Sequence, residues 1–310
     1  MPAKDIQIHP NSFPKLNARG PIHIREDVIF TNPKGEEKKG IRKRNEKALD
    51  QLQEALPRLL QPDEAVLYIA RCEAPASFGD QFSLGWYVYQ VTGSVLVVTN
   101  QRILHFFVRP KTFGGRDGWN WRRSVRAVAW GDIAELKVSG WFSPSATLKY
   151  RNGKKEKFWR FRGEDGKKLR LLGETILPGA ASESTAAQGI ASLCPRCFAA
   201  LAPDLYQCAQ CRLLFKDKAT ALRRSLLIPG GGYFYTGHIF LGVMDAIAEG
   251  FLMLLILLLL LEISGVTPTP PGEAPASWAA IIFVLILFAI EKLFTIHHAN
   301  RFIRDYIPAE

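Results

Sequence analysis

The chain has 310 residues, room for about two domains, and its hydrophobic share of 47% suits an ordinary globular protein. Its net charge of +11 is uneven: residues from Ser225 onward carry 7 acidic and 3 basic side chains, leaving 37 basic and 22 acidic before them, a net +15. None of the six histidines stands at a motif spacing from a serine, a cysteine or paired carboxylates, which excludes a recognisable catalytic constellation. Such a basic part suits anionic lipid or nucleic acid, or is a solvated face with no specific ligand.

Residues 1–41 are rich in Pro, Asn and Gly, lack the apolar core of a signal peptide, and read as an irregular segment. An amphipathic helix is predicted over 42–62. Leu49, Leu52, Leu56 and Leu59 form its apolar stripe, and Pro57 kinks it or ends it early.

From Glu64 the period becomes that of strands. Ala65–Ala70 and Gly93–Val98 are short apolar runs. The turn Thr99-Asn100-Gln101-Arg102 leads into Ile103–Val108. Strands continue over Arg126–Trp130, Ile133–Val138, Ser145–Tyr150 and Lys157–Phe161, with Gly153 in a turn, and a helix closes the series at 164–177. The pattern over 63–177 predicts a small antiparallel barrel or sandwich with a helix over one end. Asn100 and Arg102 read as turn chemistry, and Cys72 as a buried or free thiol. Between strands, Arg116, Trp119, Trp121, Arg122 and Arg123 mix cations with aromatics beside flexible glycines. This loop can lay its tryptophans into a lipid interface with the arginines on phosphates, contact a partner, or bind single-stranded nucleic acid. The alternative is that the tryptophans pack on their own domain.

The stretch Val95-Leu-Val-Val-Thr-Asn-Gln-Arg-Ile-Leu104, the later Trp130-Gly-Asp-Ile133 and the closing helix resemble bacterial pleckstrin-homology-like modules. That resemblance implies a seven-stranded bent sheet closed by one helix, and a domain that binds lipid or protein.

Residues 178–192 are small and polar and read as a linker. In 193–217, Cys194-Pro-Arg-Cys197 and Cys208-Ala-Gln-Cys211 form two C-x-x-C pairs ten residues apart. Each pair can make a knuckle, and two knuckles complete a tetrahedral four-cysteine site for structural zinc. Iron, or two disulfides in an oxidising compartment, are the alternatives. The segment resembles small zinc ribbons found beside bacterial membrane segments.

The densest apolar runs follow. Val243–Ile263 and Trp278–Ile296 each have the length of a membrane span; a soluble core helix is the competing reading. The loop 264–277 has four prolines and no Lys or Arg, whereas Arg223, Arg224, Arg301 and Arg304 flank the pair. The excess of cations outside the hairpin predicts both termini in the cytoplasm, with the protein multi-pass in the cell (inner) membrane. The hairpin is assigned to 225–298 and a tail to 299–310. Asp245 and Glu249 share a helix face, and an antiparallel hairpin puts Glu249 level with Lys292. Either the pair neutralises itself at depth, or both side chains reach the headgroups. Before the first span, Pro229, Gly230, Gly232, Tyr235 and Gly237 resemble the Pro-Gly-x-Gly…Tyr-x-Gly signature of a widespread two-transmembrane family. Its glycines are expected to let the chain bend at the surface, and its tyrosines to sit at headgroup level.

The whole reads as an α+β multi-domain membrane protein: a pleckstrin-like β-barrel or sandwich with a C-terminal helix, a zinc ribbon and an α-helical transmembrane hairpin. The expected role is a non-enzymatic membrane-anchored adaptor whose basic domain binds a protein partner or anionic lipid. Nucleic acid is disfavoured and a homo-oligomer is allowed. The competing role is a subunit of a small oligomeric transporter or channel that uses Asp245 and Glu249.

Overall fold

The computed structural model of the chain describes residues 17–19, 22–111, 118–140, 143–180, 184–185, 188–268 and 275–309. The chain divides into two compact units, Met1–Leu213 and Leu214–Glu310.

Unit 1 begins with β1 (Asn17–Arg19) and β2 (Ile22–Ile24), an antiparallel pair that joins the main sheet through a parallel contact of Ile24 with Val66. Three helices follow: α1 (Glu26–Ile29), α2 (Lys39–Gln51) and α3 (Leu56–Leu59). The meander is β3 (Val66–Glu73), β4 (Gly93–Thr99), β5 (Arg102–Pro110) and β6 (Trp119–Ala129), all antiparallel neighbours. Between β3 and β4 the chain forms α4 (Phe78–Leu84), a 3-10 turn and α5 (Val88–Val91). A second, three-stranded sheet contains β7 (Ile133–Ser139), β8 (Ser145–Tyr150) and β9 (Lys155–Phe158). Helix α6 (Gly163–Ala180) follows, and β10 (Ala191–Leu193) returns to pair with β6. The larger sheet is ordered β1-β2-β3-β4-β5-β6-β10.

The runs in β4 and β5 are nearly continuous in apolar residues rather than alternating, because both faces of the sheet are covered. Tyr68, Ala70, Leu96 and Val98 face a core shared with the second sheet and α6. Ile69, Val95, Val97, Leu104 and Phe106 face a second core roofed by Leu49, Leu52, Leu56 and Leu59. Burying a side chain of this size contributes on the order of 2 kcal/mol, so the N-terminal helices are integral to the unit.

Three sequence expectations are corrected here. The segment before residue 42 is not irregular where it is described: β2 and α1 are built from it, α2 starts at Lys39, and Lys168 of α6 clamps the following turn through Thr31 Oγ1 at 3.0 Å and Asn32 O at 3.2 Å. The helix expected over 42–62 is two helices. The first ends at Gln51, and Pro57 lies in the first turn of the second, where its missing N–H has no partner to lose. The linker expected over 178–192 belongs to the fold where it is described: residues 178–180 are the end of α6, and the two later stretches are tied down. Thr185 N donates to Asp132 Oδ1 at 2.7 Å, Ser184 Oγ donates to the same atom at 3.0 Å, and β10 completes the sheet.

A polar chain links the two sheets. Arg126 donates to His105 Nδ1 at 2.9 Å, which leaves the proton on Nε2, 2.8 Å from Ser94 Oγ. Arg126 also pairs with Glu156 at 2.9 Å, and Tyr150 donates to Glu156 at 2.9 Å. Burial, and then the Arg126 charge, hold the His105 imidazole well below its ordinary pKa, so it is neutral.

Unit 2 comprises α7 (Lys218–Leu227), α8 (Gly231–Thr236), α9 (Ile239–Ile263) and α10 (Trp278–Ile303). The last two have 25 and 26 residues and are long and apolar enough to cross a membrane. At 1.5 Å per residue each extends about 38 Å, more than a hydrocarbon core of about 30 Å. Helix α10 runs past the expected boundary at 298, and the tail after it is ordered: Lys216 N donates to Ile307 O and Ala309 N to Leu214 O.

Candidate metal centre and polar cluster

The four cysteines converge. Cys194 Sγ lies 3.4 Å from Cys211 Sγ and Cys197 Sγ lies 3.6 Å from Cys208 Sγ, and all four sulfurs fall within 4.8 Å of one another. A tetrahedral site with metal–sulfur bonds of about 2.3 Å needs sulfurs about 3.8 Å apart. The two knuckles are built alike. Phe198 N donates to Cys194 O, and Arg212 N to Cys208 O; Phe198 and Arg212 both have φ of 58°. The left-handed residue after each second cysteine turns the chain back, so Cys194 N reaches Ala199 O and Cys208 N reaches Leu213 O. All four cysteines are free thiols. Burial pushes the Cys194 thiol up to about 12. At Cys208 burial acts the same way, but the backbone amides of Cys211 and Gln210 outweigh it and bring the thiol to about 7. Four close sulfurs, no open position and amides aimed at sulfur fit a structural metal ion. Within unit 1 the four-cysteine segment is held by β10, by the Arg58 guanidinium 5.6 Å from the Phe198 ring centre, and by the hydrogen bond from Arg58 to Arg196 O.

In unit 2 the polar side chains gather inside. Lys292 Nζ is 2.6 Å from Glu249 Oε2 and 2.7 Å from Ser225 O. Glu249 is 1% exposed. The carboxylates of Asp245, Glu249 and Glu291 come within 4.8 Å of one another, and Thr295 Oγ1 lies 3.0 Å from Asp245 Oδ2 and 2.9 Å from Glu291 Oε1. Glu291 and Thr295 were missed from sequence. The register that matches residue 249 to 292 puts Asp245 level with Ile296, so Thr295 is its neighbour and Glu291 lies one turn further, which carries that signal.

The glycine signature serves both to turn the chain and to pack it. A Cβ on Gly231 would sit 2.1 Å from Arg224 O, and one on Gly232 would sit 2.2 Å from Ser225 Oγ, so α8 touches α7 with no room for a side chain. Gly230 has φ of 67° and starts α8; Gly237 has φ of 82° and ends it. Pro229 precedes this turn. Tyr235 OH accepts from Asp217 N at 3.1 Å, and Arg224 stacks on its ring at 4.9 Å.

The aromatic loop is corrected. Trp119 is 5% exposed and Trp121 packs against the same core, with its indole N–H donating to Ser124 O at 2.9 Å. Both lie on β6, where large rings fill the space under α2, so they are core residues rather than an interfacial wedge. Arg122 donates to Val91 O at 3.1 Å, Arg123 is exposed with φ of 54°, and Arg116 lies outside the described residues. Asn100 and Arg102 act in the turn: Asn100 Oδ1 accepts from Ala65 N at 2.7 Å, and Arg102 pairs with buried Glu64 at 2.8 Å.

The exposed aromatics are elsewhere. Phe78 is 83% exposed and Phe82 80%, and Trp86 and Tyr89 are exposed beside them. The one charged residue in 74–92, Asp80, is buried in a capping box with Ser77. Arg160 stacks on Tyr89 at 4.2 Å. The Phe-x-x-x-Phe-x-x-x-Trp spacing, after a Ser-x-x-Asp start, is the sequence signal that would have found this segment.

No known family model matches the chain, and no curated protein matches it at a significant level.

Proposed function

We propose that the protein is a non-enzymatic membrane-anchored adaptor: α9 and α10 span the bilayer, and unit 1 is a pleckstrin-like module that binds a protein partner or anionic lipid. The observation that carries the reading is the inverted polarity of the hairpin. Leu254, Leu257, Phe251, Phe283 and Ile286 are exposed, while Glu249 and Lys292 are buried. Such helices are stable only where their surroundings are apolar. A four-stranded meander, a three-stranded meander and a closing helix support the pleckstrin-like assignment. The exposed aromatics of 78–89, with Arg160 beside them, support contact with a lipid surface in place of the loop 116–123. The four-cysteine cluster takes zinc in a structural role. The cationic flanks put both termini in the cytoplasm of a bacterial inner membrane.

The testing experiment is purification of the full-length protein from its own membranes in mild detergent, with mass spectrometry of what stays bound. A stoichiometric protein partner supports the adaptor; a homo-oligomer alone removes it. The convergence of Asp245, Glu249 and Glu291 favours a second reading, a small oligomeric transporter. Ion flux into proteoliposomes that Glu249→Gln abolishes would select it.

A further inference from the structure

Helix α7 does not stay at one level of unit 2. It starts where the tail after α10 ends: Lys216 N donates to Ile307 O and Ala309 N to Leu214 O, both at 3.0 Å. By its last turn it has reached Lys292, whose Nζ donates to Ser225 O at 2.7 Å. Helix α8 leads back. A Cβ on Gly232 would lie 3.1 Å from Thr295 Cγ2 and 3.2 Å from Ala299 Cβ, Tyr233 OH is 2.6 Å from His298 Nδ1, and the His238 ring centre is 4.0 Å from that of Phe302. The chain thus runs down α10 from 307 to 292, turns at 228–230, and climbs from 295 to 302 before α9 begins.

The depth of that turn follows from helix length. Trp278 opens α10, and Lys292 stands 14 residues further along it. That is about 21 Å of helix. A hydrocarbon core of about 30 Å, counted from the interfacial Trp278, therefore extends about 9 Å past Lys292. Side chains on α7 follow the same gradient. Lys216, Lys218, Arg223 and Arg224 come first; Leu226, Leu227, Ile228 and Pro229 come last and are exposed, Leu227 by 80%. At the turn Gly230 meets Gly242 O of α9 with no room for a Cβ, and α9 exposes Phe240, Val243 and Met244 on either side of Gly242 in sequence. The apolar tip is thus continuous with the outward face of the hairpin.

A turn can enter hydrocarbon only if its backbone is satisfied from within the protein. Arg224 O accepts from Ile228 N at 3.1 Å, Ile228 O from Gly231 N at 2.8 Å, and Gly230 O from Phe234 N at 3.0 Å. Pro229 has no N–H to satisfy. The Lys292 ammonium sits on the C-terminal end of α7, where the helix dipole is negative.

We propose that α7 and α8 form a re-entrant hairpin whose tip, Leu226-Leu227-Ile228-Pro229, inserts among the phospholipid acyl chains of the leaflet that holds both ends of the α9–α10 pair. The cations of α7 then lie at the phosphate level, with Arg223 snorkelling from just above the tip. The inference rests on α9 and α10 spanning the bilayer and adds a third membrane-embedded element to them.

The test uses full-length protein in vesicles of phosphatidylcholine and phosphatidylglycerol. A fluorescent amino acid is placed at position 227, or at position 257 in mid-span. Emission is read against aqueous iodide and against phosphatidylcholine spin-labelled near the headgroup end of its acyl chain or near the chain terminus. At position 227 the upper acyl label is expected to cause the larger loss and iodide little; at position 257 the chain-terminal label should dominate. With the probe at position 226, Leu227→Asp combined with Ile228→Asp is expected to exchange acyl quenching for iodide quenching. Both substituted side chains are exposed, so the fold should tolerate the change, and quenching at position 257 in the same variant should stay as it was. Iodide quenching at 227 with lipid quenching at 257 overturns the re-entrant tip and leaves the two spans standing. Shielding of 227 from every quencher overturns it too, because a second copy or another protein then covers the tip. Iodide quenching at 257 removes the spans and the tip together.

Discussion

Unit 1 and unit 2 bury opposite chemistries. In unit 1 the interior is chiefly Leu, Ile, Val and Phe on both faces of one sheet, and most cations lie outside, with Lys168 and Arg25 as buried exceptions. In unit 2 the only buried residues of α9 are Gly242 and Glu249, and its leucines and phenylalanines face outward. In water, burying apolar surface drives folding; in hydrocarbon that drive vanishes, and close backbone packing and buried polar pairs hold helices together. The same chain therefore uses bulky residues to close its first part and glycines, threonine and an ion pair to close its second.

The largest expected effect lies in the four-cysteine segment, where only a few apolar side chains such as Leu193, Leu213 and Phe215 are buried. Zinc bound by four thiolates supplies about 10–16 kcal/mol in small zinc modules. One zinc per chain is expected by elemental analysis. Cys208→Ser should lose the metal and open 194–213 to protease; a full-length chain that purifies without metal yet resists cleavage there would rule this out.

The interior polarity of unit 2 is tested next. Lys292→Leu leaves Glu249 buried and unpaired and should cost about 3–5 kcal/mol, read as the unfolding midpoint in detergent. Glu249→Leu added to it should recover most of that loss; no recovery means the pair does not couple. Gly232→Ala should cost about 1–3 kcal/mol through the clash with Ser225, measured the same way, and an unshifted midpoint would show that α7 and α8 are not locked.

In unit 1 the sharper probe is pH. The folded His105 stays neutral below 6.5, where a free imidazole takes a proton. The unfolded chain therefore gains a proton that the folded one refuses, and stability falls as pH drops from about 6.5. His105→Gln should flatten that slope in thermal melts; an unchanged slope assigns it to other groups. The smallest effect is expected at the exposed aromatics. Phe78→Ser with Phe82→Ser should shift stability by less than about 0.5 kcal/mol while reducing lipid contact, scored by photo-crosslinking from position 86 in nanodiscs. Labelling from Leu257 serves as the control for the hairpin.

What the sequence disclosed follows from how local each signal was. The strands, α6, the cysteine knuckles and the hairpin rest on short-range periodicity or spacing, and all are present. Counting along the hairpin put Glu249 level with Lys292 but left open whether the two pair or both reach the headgroups; in the structure they pair at 2.6 Å. What stayed hidden depends on distant partners. Trp119 looks like loop chemistry until α2, some 70 residues earlier, covers it; Gln51 of that helix donates to Trp119 O at 2.9 Å. The N-terminal segment reads as irregular because β2 needs Val66 for its pairing. The unbroken apolar run of β4 was the one hint that a second layer had to exist.

Strand β10 occupies the flank of β6, with Ala191 opposite Ala127 and Leu193 opposite Val125. The cysteine knuckles begin at the next residue. An unpaired strand flank invites another chain to add to it. Strand β10 thus covers this flank, and a chain in which the adjoining four-cysteine segment cannot fold is expected to self-associate through β6.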